Sequence, residues 1–125
     1  MDRFPESVRK AWENRKGPLI FTTVDPNGIP NSVYVGAVSK QDDGTIIIAD
    51  NYFDKTRRNI LSGSKGSLLF ITEQGKSFQM KGDIGYHTEG PLFENMKNWN
   101  SPKHPGHAAV AFKVTEVYTG AEKLV

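Results

Sequence analysis

Three short turns constrain this chain more than any other feature. Asp25-Pro26-Asn27-Gly28, Gln41-Asp42-Asp43-Gly44 and Glu73-Gln74-Gly75-Lys76 each stand between runs of β-branched or aromatic residues. Pro presets φ at the second turn position, and Asn-Gly accepts positive φ, so these segments read as hairpin connections. Strands joined by tight hairpins run antiparallel. A chain punctuated in this way is a meander that must close on itself or pack against something else.

The periodicities place the elements around those turns. Phe4, Val8, Ala11 and Trp12 recur at helical spacing across residues 5–15, and Gly17-Pro18 ends that run. Strands are expected at 19–24, 31–38, 45–49, 67–72, 77–86 and 108–118. The third contains Ile46-Ile47-Ile48, and consecutive isoleucines imply a strand covered on both faces. In the fifth, Phe78, Met80 and Ile84 face inward, and Gly82 marks a bulge or bend. A helix is expected at 54–61, with Asp54 as its N-cap and Gly63 near its end. Gly90-Pro91 opens another, whose apolar stripe is Leu92, Phe93, Met96 and Trp99. Residues 119–125 form a tail. The expectation is one domain over residues 1–125, mainly β (α+β), with six antiparallel strands in a small barrel and three short helices.

Composition excludes several functions. The net charge of +2 is too small to imply a nucleic-acid partner, and Lys55, Arg57 and Arg58 lack an aromatic platform beside them. The absence of cysteine excludes disulfides, thiolate catalysis and cysteine-built zinc sites, and it fits a reducing cytoplasm. The N-terminal stretch has no apolar h-region, and no apolar run approaches the ~20 residues that span a bilayer, so a cytoplasmic protein without membrane contact is expected. His87, His104 and His107 are the only histidines. Pro105 and Gly106 separate the latter two, and no carboxylate follows at ligand spacing, so they read as loop residues and no metal site is expected.

The segment from Asp50 to Asn59 carries the sharpest chemical signal. Lys55, Arg57 and Arg58 crowd the first turn of the expected helix. The helix N-terminus already carries partial positive charge, so each cation there is unfavourable by ~0.3–1 kcal/mol. Asp54 offsets part of this, and a bound phosphate would offset the rest. A solvated basic helix capped by Asp54 explains the same residues.

The ordered set of a Gly turn, an isoleucine-rich strand and Asn-x-x-Asp-Lys-Thr-Arg-Arg-Asn-Ile resembles the FMN-binding split β-barrel family related to pyridoxamine 5′-phosphate oxidase. It is similar in particular to the minimal single-domain members. Phe78-Gln79-Met80-Lys81-Gly82, Thr88-Glu89-Gly90-Pro91-Leu92-Phe93 and the terminal Ala121-Glu122-Lys123-Leu124 continue the likeness. The resemblance implies a six-stranded split barrel acting as a homodimer, with FMN at the interface. It assigns the FMN phosphate to Lys55 and Thr56, with Arg57 as a further contact. It lays the ribityl chain and ring along Asp50, Asn51 and Tyr52, and the isoalloxazine edge against the backbone of Ser32, Val33, Tyr34 and Val35. Trp99 and Leu124 match the positions that a second subunit contributes beside the ring. The implied activity is that of an FMN-dependent oxidoreductase or electron carrier, and no side chain is marked as an acid or base. Residues 31–38 lack the Arg and Lys of pyridoxamine 5′-phosphate oxidase, and the chain lacks that enzyme's C-terminal substrate segment with Trp and Arg, so oxidation of pyridoxamine phosphate is not expected. The alternative is a non-catalytic module of the same fold. It would hold a deazaflavin, needing Lys40 or Lys81, or haem, needing one of His87, His104 or His107.

Overall fold

The Asp25 carboxylate organises the first hairpin by accepting the backbone N–H groups of Asn27 and Ile29, at 2.8 and 2.9 Å. Gly28 closes the turn at φ +81°, a conformation that side chains disfavour. The flanking strands, β1 (Leu19–Val24) and β2 (Pro30–Val35), pair antiparallel with Leu19 opposite Val35. This is a computed structural model, and it describes residues 3–125. Met1 and Asp2, the first two residues of the expected domain, lie outside that range.

The remaining elements follow in chain order: β3 (Val38–Lys40), β4 (Thr45–Asp50), α2 (Lys55–Leu61), β5 (Gly66–Ile71), β6 (Ser77–His87), α3 (Pro91–Trp99), β7 (Ala108–Thr119) and β8 (Glu122–Lys123). Helix α1 (Glu6–Glu13) precedes them all. The strands form one sheet in the order β2-β1-β5-β6-β7-β4-β3, with β8 added to β7. Every pairing is antiparallel. β2 and β3 are the two edges of the sheet, yet only Gly36 and Ala37 separate them in the chain. The sheet therefore curls until its edges nearly meet, as a split barrel.

Eight strands stand where six were expected. The run at 31–38 breaks at Gly36-Ala37 because its first half pairs with β1 and its second with β4, on opposite edges of the curled sheet. The tail adds the short β8, paired through Tyr118–Lys123 and Thr119–Glu122. Asp54 occupies the N-cap position of α2, but its carboxylate bonds the Arg58 guanidinium at 3.0 Å rather than a backbone N–H.

Burial follows the sequence pattern. Ile46 and Ile48 are fully buried in the barrel interior with Phe21, Leu68, Met80 and Phe112. Ile47 is equally buried on the opposite face, where Met96 of α3 covers it together with Ala49 and Ala109. The three isoleucines thus need both the barrel core and α3. Helix α1 turns Val8, Ala11 and Trp12 inward, and Trp12 meets Phe70 edge-on with centroids 5.6 Å apart. Phe78 and Met80 are buried, and Ile84 packs against the same cluster. The β6–β7 register shifts between Lys81 and Gly82. A Cβ at Gly82 would stand 2.3 Å from the Lys113 carbonyl oxygen, so the bulge needs a residue without one. Among the described residues no helix is long and apolar enough to cross a membrane.

Candidate functional site

Strand β4 ends at Asp50, whose side chain has no solvent exposure. Its carboxylate accepts from Arg57 Nε at 2.7 Å and Nη2 at 3.0 Å, from the Phe53 N–H at 3.1 Å, and from the Tyr86 hydroxyl. One buried anion thereby ties the end of β4, the following turn, the first turn of α2 and β6 together. Burial alone would raise the carboxyl pKa, but the Arg57, Tyr86 and Phe53 hydrogen bonds outweigh it and hold the group below its ordinary value. The bond to Asp50 keeps the Arg57 guanidinium even more firmly protonated. Burial, reinforced by the bond to Asp50, pushes the Tyr86 phenol up to about 12. Asp50 therefore turns inward as an anchor, and Arg57, a further contact in the sequence reading, is engaged by that anchor.

The next residues of α2 face a basic cleft of about 590 Å³, lined by Asn31, Lys55, Arg58 and Asn59 among others. Lys55 has no ion-pair partner among the described residues. Thr56 is buried behind the lining, and its Oγ1 accepts from Asn31 Nδ2 at 3.1 Å. Asn59 donates to Thr23 Oγ1 at 3.0 Å, which fastens α2 to β1. The cleft thus sets two cations, Lys55 and Arg58, and two fastened amides against one carboxylate, Asp25, a donor set suited to an anion at its Lys55 end.

A second cleft of about 480 Å³ opens along the same edge strand, walled by Val33, Tyr34, Val35, Ala49, Tyr52 and Phe53 and closed by His104. Because β2 is an edge, alternate backbone N–H and C=O groups have no strand beyond them. Asn51 also lines this cleft, but its side chain is a clamp. It exchanges two hydrogen bonds with Asn100, at 3.1 and 2.8 Å, and accepts the Gly106 N–H at 2.9 Å. These bonds seat the loop between α3 and β7, and they bring His104 to Tyr52, whose hydroxyl lies 2.9 Å from Nδ1.

The other expected residues fall in different places. Ser32 faces outward, its hydroxyl 2.7 Å from that of Thr22. Trp99 bonds Asn95 and lines an adjoining cleft with Gly36, Ala37 and His104. Leu124 packs against the barrel's own core near Val117. Lys40 lies over the Phe4 ring and Lys81 over the Tyr118 ring, and neither lines the two clefts along β2. His107 donates its backbone N–H to the Asp50 carbonyl. Among the described residues no three His, Asp or Glu side chains are grouped to hold a metal. Asn31 and Tyr86 are the site-forming residues that sequence reasoning did not place; Arg58 it named only among the crowded cations, and His104 only as a loop histidine or haem ligand. For Asn31 a signal was present, because it opens the strand already assigned to the site.

The architecture defines a small split β-barrel with two clefts along one edge strand. The family profile described as pyridoxamine 5′-phosphate oxidase matches residues 4–120. An uncharacterized protein of Methanocaldococcus jannaschii is 30% identical over 122 residues, covering 93% of this chain and 80% of that protein. Among solved structures, HupZ of Group A Streptococcus superposes with a TM-score of 0.82 at 22% identity, covering 97% of each chain. An FMN-binding protein of Syntrophomonas wolfei gives 0.74 at 23% identity, covering 94% of this chain and 97% of that one. An F420 reductase gives 0.69 at 14% identity, over 91% of this chain and 98% of that one. The chain belongs to the pyridoxamine 5′-phosphate oxidase family.

Proposed function

We propose that this protein binds FMN along β2 and acts as a homodimeric oxidoreductase or electron carrier. The observation that carries the reading is the pair of clefts along one edge strand, one with the cations Lys55 and Arg58 beside the Asn31 amide, the other apolar-walled at Val33, Val35 and Phe53. A phosphomonoester suits the first, and a planar heterocycle with a polar edge suits the second. In this reading Lys55 meets the phosphate, while Asn31 and Thr56 hold that end of the site in shape. The free edge of β2 offers backbone donors and acceptors to the ring. FMN would supply the redox chemistry when bound, and the chain would bind, orient and shield it. The FMN-binding protein of Syntrophomonas wolfei, with the same fold, supports the choice of cofactor.

The proposed dimer rests on a further surface. Ile20 of β1 is paired with Tyr34 of β2 and Leu69 of β5, so the three share one outward face. Tyr34 is 74% exposed, Ile71 45% and Leu69 37%, an apolar patch beside the ring cleft that a second copy would cover. The cysteine-free composition agrees with a cytoplasmic setting.

The test is a visible absorption spectrum of protein mixed with FMN and then desalted. Retained flavin bands that bleach with dithionite are expected, at one FMN per chain. A protein that emerges colourless refutes the cofactor assignment, and a Soret band in the protein as purified transfers it to haem.

A further inference from the structure

The loop at 101–107 is fastened by groups other than the two side chains at the mouth of the ring cleft. The Asn51–Asn100 pair, the Gly106 N–H on Asn51, the His107 N–H on Asp50 and the Lys97 ammonium on the Pro105 carbonyl hold it. Tyr52 and His104 add a hydrogen bond of 2.9 Å and an edge-on ring contact with centroids 5.5 Å apart. Tyr52 is 69% exposed, and a solvated hydrogen bond adds little net stability.

The two nitrogens of His104 differ. Nδ1 is engaged by the Tyr52 hydroxyl, whereas Nε2 has no hydrogen-bond partner among the described residues. A hydroxyl that donates to Nδ1 leaves the ring proton on Nε2, which then is a donor. His104 lines the ring cleft together with Val33, Tyr34 and Val35, and also the adjoining cleft at Trp99.

We infer that His104 is a ligand-binding residue, donating from Nε2 to an acceptor atom of a heterocycle seated against β2, with Tyr52 as the positioning residue. The inference rests on the flavin reading above and deepens it. It gives the ring, rather than the phosphate, a recognition point on the loop. The ligand class is then planar heterocycles with an exposed ring nitrogen or carbonyl, with or without a phosphate tail.

The test titrates the wild type, His104→Ala, His104→Gln and Tyr52→Phe with FMN and with riboflavin, followed by flavin fluorescence. Losing one hydrogen bond from a binding site corresponds to about a tenfold loss of affinity. His104→Ala should weaken both flavins by that factor, because both carry the ring. His104→Gln, whose amide can replace the Nε2 donor, should recover part of the loss, and Tyr52→Phe should weaken both flavins by a smaller factor. Lys55→Ala, by contrast, should weaken FMN alone. A His104→Ala protein with wild-type melting temperature and unchanged affinity for both flavins overturns the inference and leaves the FMN reading standing. A loss confined to FMN overturns it too, by moving His104 to the phosphate. A wild type that binds neither flavin overturns both readings.

Discussion

Replacing Asp50 with Asn keeps the shape of the side chain and removes its charge. Four hydrogen bonds converge on this carboxylate, two from Arg57, one from Tyr86 and one from the Phe53 N–H. Removing one partner of a fully buried ion pair costs about 3–5 kcal/mol, most of it from the stranded charge. Here the Arg57 side chain keeps 33% of its surface in water, which screens the guanidinium. Asn also retains one acceptor oxygen for the Phe53 N–H. The expected loss is therefore about 2 kcal/mol, or a fall of roughly 6–10 °C in Tm for a domain of this size. Urea denaturation of Asp50→Asn, Arg57→Met and the double variant measures it. The double variant should lose less than the sum of the singles, by about 1 kcal/mol, because each single leaves a partner stranded. A loss below about 0.5 kcal/mol for Asp50→Asn, or strict additivity, would refute the reasoning that this anion is the anchor of the site.

Four further outcomes are expected. Lys55→Ala should lower FMN affinity about tenfold or more, since one charge-assisted phosphate contact contributes ~1.5–3 kcal/mol, and a flavin titration reads the change. Gly82→Ala should destabilise by about 2 kcal/mol or more in chemical denaturation, because the new methyl would stand 2.3 Å from a carbonyl oxygen of β7. Because the Asp50 pKa is depressed on folding, its contribution to stability should be complete above about pH 4 and lost as pH falls through the folded value. Melting temperatures across the acid range, with Asp50→Asn as the control that lacks this term, check the sign. Tyr86 has its pKa raised to about 12, so its contribution should be complete below the ordinary tyrosine value of about 10 and disappear as pH rises through 12. Tyr86→Phe should flatten that alkaline limb in the same melts.

What could be read from the sequence was local chemistry. The Asp25 turn, the two-sided burial of Ile46-Ile47-Ile48 and the Gly82 bulge depend on neighbours in the chain, or on a pattern that only one geometry satisfies. The break at Gly36-Ala37 was hidden, because the run at 31–38 has no proline or polar turn and divides only when the curled sheet offers each half a different edge. Side-chain roles at the site were hidden for a related reason. Asp50 and Asn51 lie in the stretch expected to follow a ligand, but Asp50 answers to Tyr86, 36 residues away, and Asn51 to Asn100, 49 residues away. Those pairings give both side chains a fastening role that no neighbour in the chain announces. His104 looked like an ordinary loop histidine until the Asn51–Asn100 clamp set its loop beside Tyr52.

The claim that FMN lies along β2 with its phosphate at Lys55 is tested most directly by a crystal structure of the protein grown with FMN. Phosphate density is expected within hydrogen-bond reach of Lys55, beside Asn31, with the ring against the backbone of Val33, Tyr34 and Val35. A flavin bound elsewhere on the barrel, or the same cleft filled with the phosphate turned away from Lys55, would contradict it.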